Sequence, residues 1–222
     1  MDEHHSVRPP RSKLVAAHVA RVIGRWQAQY LPTEGRVRPT SDALATLATL
    51  RHADAGDPAA DVRVWQVTFD GIPDELLADR PGATASRAER AVHAALVLWS
   101  RHQQAKTSPM HVSGRSLGLA ARDLSRKVEP GDELSGAVLR RFHSVATATG
   151  DQQRLYHLRS LVSLFRAHDV ALDYARLAED LYRLETPRAD AVQLSWGRDL
   201  HRRDRSTTTE TTSTAEPTRS PS

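Results

Sequence analysis

Apolar residues in this chain recur at every third or fourth position, and they hardly anywhere alternate. That spacing fits the 3.6-residue turn of an α-helix and not the two-residue repeat of a strand, so it restricts the chain to an all-α fold. The clearest stretch lies between Met110 and Trp196 and reads PMHVSGRSLGLAAR, VLRRF, LYHLRSLVSLFR, LDYARLAEDLY and LSWGRDL in that order. Each piece joins an apolar stripe to arginines that the stripe does not need. A helix packs equally well with any polar residue on its outer face, so repeated arginine there asks for an external anion.

The stripes and their punctuation place the helices. Val15, Val19, Val22, Trp26 and Tyr30 mark a first helix over 13–30, stopped by Pro32. Ser41 and Asp42 offer an N-cap for a second, with Leu44, Leu47 and Leu50 on one face. Residues 53–85 read as loops, HADAGDP and DRPGATAS, around VRVWQVTFDGIPDELL, which fits a short helix and turn or a strand-like piece, the helix being preferred. Further helices are expected over 86–104, 114–127, 132–147, 151–168, 173–185 and 188–200, with Gly150-Asp151, Asp173 and Pro187 as starts and stops. The expectation is a compact bundle of eight to nine helices over 13–205, as one body or as two helical subdomains. The last 17 residues, STTTETTSTAEPTRSPS, contain almost nothing that could be buried and read as a disordered tail over 206–222.

Composition removes several classes of function. There is no cysteine, hence no disulfide, thiolate metal site or cysteine nucleophile. No apolar run approaches a membrane span and no signal-peptide core is visible, so the expectation is a soluble cytoplasmic protein with no membrane partner. Of 31 basic residues only Lys13, Lys106 and Lys127 are lysine. Arginine offers phosphate a planar fork of donors, although a GC-rich genome would produce the same bias.

Position is more telling than number. Residues 86–127 carry eight basic and two acidic residues, and residues 138–166 carry five and one. The rest of 1–205 is net −5. Charge concentrated in this way attracts phosphate backbones. On a helical wheel, Leu117, Ala121, Leu124 and Val128 share one face of the 114–127 helix, and Arg115, Arg122 and Arg126 fall opposite. In the 86–104 helix, Ala88, Val92, Ala95, Leu96 and Trp99 form the buried face, with Arg87, Arg90 and Arg101 on the far side. Arg159 and Arg166 share a flank of the 151–168 stripe. A solvated face with intrahelical ion pairs is the competing interpretation, weakened by the scarcity of acidic residues three or four positions away. Only 11 aromatics occur, several of them on stripes, which favours electrostatic tracking of a backbone over a base-stacking platform.

Catalytic and metal readings find less support. His93, His102 and His111 are spaced by nine and fall on different helix faces, with His102 reading as a packing residue. His168-Asp169 is an HD pair of the kind metal-dependent phosphohydrolases use, for which His143 or His157 and Asp180 could be nominated. It sits where a helix ends, as a capped turn would. No metal and no cofactor are expected. A free-standing helix-turn-helix DNA-binding regulator is an alternative, with Arg115 on the recognition helix, but the acidic link EPGDELS after it is long for that motif.

Taken together, LGLAAR at 117–122, LRRF at 139–142, HLRSLVSLFRAHDVALDYARLAEDLY at 157–182 and the following LSWGRDL resemble the CasB family, the small subunit of the type I-E CRISPR surveillance complex Cascade. The resemblance covers roughly 88–200 and is looser over 15–30. It implies an all-helical, non-catalytic subunit with an antiviral role, present as a head-to-tail pair and assembled with the backbone subunits along a guide RNA. Such a subunit would hold the guide RNA–target DNA hybrid and the displaced DNA strand without sequence preference. By matching segment, the resemblance implies basic contacts at Arg115, Arg122, Arg140, Arg141 and Arg159; charge placement adds Arg90, Arg101 and Arg126. The family often has a basic residue directly after LG. Here Leu119 stands there, with Arg122 as its candidate substitute.

Overall fold

A computed structural model describes residues 8–78, 84–131 and 133–202; the Ser/Thr-rich tail lies outside these. Among the described residues there are nine α-helices: α1 Arg11–Tyr30, α2 Ser41–His52, α3 Trp65–Phe69, α4 Arg87–Gln103, α5 Leu117–Val128, α6 Gly136–Ala146, α7 Asp151–Ala167, α8 Tyr174–Leu184 and α9 Ala189–Leu200. The fold is all-α, with only isolated β-bridges at Thr33–Arg36 and His111–Leu172 among the described residues. Of the ambiguous 53–85 stretch, the described residues 53–78 are helical in short pieces, with single 3₁₀ turns at Val62–Val64 and Asp74–Leu76 flanking α3.

α4 is the axis of the bundle. Every residue from Ala91 to Ser100 is buried, because α1, α2, α7 and α8 pack around it. This corrects the wheel, which gave the helix one buried face. The segment AVHAALVLWS holds only His93 and Ser100 as polar groups, and a helix apolar all round belongs inside. Ser86 begins it with a capping box, its hydroxyl accepting from the Glu89 N–H while the Glu89 carboxylate accepts from the Ser86 N–H.

The buried histidines are paired. His93 lies between the Asp54 carbonyl (2.7 Å) and the Thr68 hydroxyl (3.3 Å), and His18 contacts the Thr68 carbonyl at 3.1 Å. His102 packs as expected, 2.8 Å from the Tyr174 hydroxyl, and burial pulls its pKa down to about 3. Burial also lowers the pKa of His18, His93 and His111, which favours the neutral ring in each.

One glycine sets how the second half packs. α5 lies against α9, and a Cβ on Gly118 would sit 2.2 Å from the Trp196 carbonyl oxygen. Ser116 caps α5 and donates to the Asp199 carboxylate at 2.6 Å, holding the same two helices from one turn earlier. Asp173, the expected N-cap, accepts from Arg176 N–H at 3.0 Å and from Gly114 N–H at 2.8 Å, which fixes the loop that leads into α5.

Two apolar positions that the spacing assigned to buried faces turn outward. Leu44 is 47% exposed on α2, whose buried side is Ala43, Leu47 and Leu50, and its cap is Thr40 rather than Ser41. Val128 is 39% exposed at the last residue of α5.

Candidate nucleic-acid interface

The eight candidate arginines fall into three physical situations. Arg90, Arg101 and Arg122 are taken up by the fold. Arg90 donates to the Ala85 carbonyl at 2.7 Å and pairs with Glu185, the residue just past α8, which Arg87 also approaches at 3.6 Å. Arg101 donates to the carbonyls of Arg51 (3.1 Å) and Ala53 (2.8 Å), tying α4 to the end of α2. Desolvation and then the nearby charge of Arg159 lower the pKa of Arg101. Arg122 is only 7% exposed, against the expectation that it faces away from the core. α5 packs on α9, α6 and α7 at once, so its buried arc is wider than one face and takes in Arg122 and Ser125. A buried Arg122 does not replace a surface charge at half-buried Leu119.

Arg115 and Arg126 line a groove of about 420 Å³, with Lys127, Asp123, Val170 and Ala171. Arg115 is exposed and pairs with Asp123 at 2.5 Å. The wall of this groove is the turn at the end of α7. Asp169 there has φ +50, a left-handed conformation that aspartate tolerates better than most residues. Lys127 donates to the carbonyls of His168 (2.7 Å) and Asp169 (3.0 Å), and Lys106 pairs with the Asp169 carboxylate at 2.6 Å. Lys106 holds that carboxyl below its ordinary range. A second groove of about 290 Å³ holds Lys106 and Arg166 with Gln104 and Ser163.

The HD pair is therefore a structural turn gripped by two of the three lysines, and among the described residues no three His, Asp or Glu side chains converge as metal ligands. The grouping of Lys106, Lys127 and Arg166 at this turn was not foreseen from the sequence. The signal was present: two lysines stand out in a chain that otherwise uses arginine.

Arg140, Arg141 and Arg159 form the third situation. All three are exposed, on α6 and α7, which pack as an antiparallel pair. Arg141 reaches only its own helix, donating to the Ala137 carbonyl at 3.2 Å. Among the described residues none of the three forms an ion pair with a carboxylate. Arg166, on the same flank of α7 as Arg159, donates to the Gln104 carbonyl at 3.2 Å and likewise meets no carboxylate among the described residues.

The family model for CRISPR-associated protein Cse2 matches residues 46–201. The fold is similar to that of CasB from Thermobifida fusca, with 29% identity over 86% of this chain and 98% of that one and a TM-score of 0.64. A Cse2-family CRISPR-associated protein from Thermus thermophilus is similar at 22% identity, 87% and 99% coverage and a TM-score of 0.57. CasB from M. ruber is similar at 20% identity, 84% and 92% coverage and a TM-score of 0.54. No curated protein shows significant sequence similarity to the chain.

Proposed function

Because the chain belongs to the family of the CRISPR-associated protein Cse2, also called CasB, we propose that it is the non-catalytic small subunit of a type I-E Cascade. In that role it holds nucleic acid by its backbone, without reading sequence. The observation that carries this is the set of exposed arginines on α6 and α7 that meet no carboxylate among the described residues. A guanidinium already paired gains little from a phosphate, because it must first give up its partner. One facing water gains the charge-assisted hydrogen bonds and releases counterions from the nucleic acid.

The contact set is accordingly Arg140, Arg141 and Arg159, with Arg166 beside them; Arg115 and Lys106, already paired with Asp123 and Asp169, and Arg126 and Lys127 along the same groove as Arg115 are secondary. Arg90, Arg101 and Arg122 serve the fold instead. The ligands are a guide RNA with its target strand and the displaced DNA strand. The protein partners are the backbone subunits and a second copy of the chain. Guide–target pairing supplies sequence recognition, so the subunit needs charge at phosphate spacing and not base-edge contacts.

A helix-turn-helix regulator would need α5 free to enter a groove. Seven of its twelve residues are buried, and Gly118 is locked against the Trp196 carbonyl. The test is to reverse Arg140, Arg141 and Arg159 to glutamate in the full chain and measure binding to a single-stranded oligonucleotide and to an R-loop. Binding should fall on the order of a hundredfold for unrelated sequences alike. Unchanged binding would sink the proposal, and loss confined to one sequence would favour the regulator.

A further inference from the structure

α7 exposes an aromatic ring in the middle of its arginine-bearing face. Tyr156 is 69% exposed, and its hydroxyl makes no hydrogen bond among the described residues. The ring meets only its neighbour His157, edge to face, with centroids 5.4 Å apart, which leaves its faces toward solvent. Arg159 follows three positions later, one turn along the same side, at a Cβ separation of about 5–6 Å. Around them the outward residues of α7 are Gln152, Gln153, Ser160 and Ser163. This strip contains no carboxylate: the first acidic residue, Asp151, lies at the helix start and pairs with Arg154 at 3.2 Å.

The other aromatic with a large exposed surface makes a useful contrast. Trp65 is 44% exposed, but its indole N–H donates to the Pro58 carbonyl at 2.9 Å, and it stands beside a loop bearing Asp57 and Asp61. Trp65 is anchored in an acidic setting, whereas Tyr156 stands unanchored among arginine, amide and hydroxyl groups. A tyrosine face that costs little entropy to hold, with a guanidinium one turn away, suits one nucleotide: the base stacks on the ring and the arginine takes the phosphate.

We infer that Tyr156 is a stacking contact for an unpaired base, so that the α7 face prefers single-stranded nucleic acid to a duplex. This rests on the nucleic-acid-binding role proposed above and narrows its ligand to a strand with splayed bases. In a duplex both faces of each base are covered by neighbours, so the tyrosine gains nothing there. Tyr156 also departs from the purely electrostatic mode that the small number of aromatics suggested.

The test uses the full-length chain with two labelled strands of equal length, one of polythymidine and one abasic throughout. Tyr156→Ala should weaken binding to polythymidine roughly five- to a hundredfold. It should leave binding to the abasic strand unchanged, while Tyr156→Phe behaves as wild type on both. Arg159→Ala should weaken both strands alike. Because Tyr156 lies outside the core, its replacement does not open the bundle. If Tyr156→Ala binds polythymidine as wild type does, or weakens both strands equally, the stacking role is wrong. If the Arg140, Arg141 and Arg159 reversal also leaves both strands bound, the underlying nucleic-acid role is what fails.

Discussion

Two arginine-rich edges of this bundle look alike in the sequence and differ in the fold. Along the α4–α8 edge, Arg87 and Arg90 share Glu185, which stands 95 residues after Arg90, and on α8 Arg176 meets Asp199 of α9 at 3.1 Å. On the outer side of α6 and α7, Arg140, Arg141 and Arg159 have no such partner among the described residues. Counting charge along the chain cannot separate the two, because the neutralising carboxylates arrive from distant helices. Surplus arginine becomes a candidate ligand site only where packing brings it no acid.

The largest expected effect breaks this contrast from the open side. Reversing Arg140, Arg141 and Arg159 to glutamate should cost on the order of a hundredfold in single-strand affinity with thermal stability held nearly constant, since none of the three bonds to another helix among the described residues. Binding titrations alongside thermal melts check both halves.

Next in size is Gly118→Ala, which addresses the framework that presents the α5 arginines. The added methyl meets the Trp196 carbonyl oxygen at 2.2 Å, so α5 and α9 must separate. A loss of about 3 kcal/mol is expected from such overpacking, read as a fall in the denaturant midpoint. A variant as stable as the parent would show that these helices slide freely.

On the paired edge the effect should be smaller and opposite in kind. Arg90→Ala leaves Glu185 with the more distant Arg87 alone, and should cost about 1 kcal/mol in stability with oligonucleotide affinity unchanged. A loss of affinity with no loss of stability would put Arg90 among the ligand contacts after all.

Acid offers a gradual probe that bears on the core and not on either edge. Burial depresses His18, His93 and His111, and takes His102 to about 3. Below about pH 6.5 the unfolded chain binds protons that the native rings take up less readily, so stability is full above about pH 6.5 and declines as pH falls. Asp180 opposes this in part. Burial raises its pKa to about 6, so below that pH the native state holds a proton that the unfolded carboxyl gives up. Glu185, whose pKa burial also raises, acts in the same direction as Asp180. Four histidines outweigh these two carboxyls, and melts from about pH 7.5 to 5 should show a net decline. An NMR titration should find the His102 ring neutral throughout that range.

Helix positions were largely legible because stripe and punctuation agree. α7 spans 151–167 and α8 174–184, within a residue or so of where Asp151 and Asp173 placed them. The starts of α5 and α6 were less clear, since the expected helices open at 114 and 132 while α5 begins at Leu117 and α6 at Gly136. Side-chain roles were legible only where a residue points away from every neighbour of its helix. Arg140, Arg141 and Arg159 came out exposed in this way, although α6 meets α5 and α7, and α7 meets α4, α5 and α6. Arg122 did not, because α5 is wedged among three helices and a wheel assumes one buried face. Arg101 escaped in a similar way, since nothing local announces that its donors cap the end of α2. Gly118 is visible in the sequence only as a glycine within a helix, and its reason is the carbonyl of Trp196 on a distant helix.

The most direct measurement is the salt dependence of single-strand binding for three full-length proteins: the parent, Arg90→Ala, and the double variant Arg140→Ala with Arg159→Ala. Each phosphate contact contributes about 0.7 to the slope of log K against log salt for single strands. The double variant should therefore lose roughly 1.4 from the slope, while Arg90→Ala keeps the slope of the parent. Equal slopes for all three proteins, or a reduced slope for Arg90→Ala alone, would contradict the assignment of the unpaired arginines of α6 and α7 as the phosphate contacts.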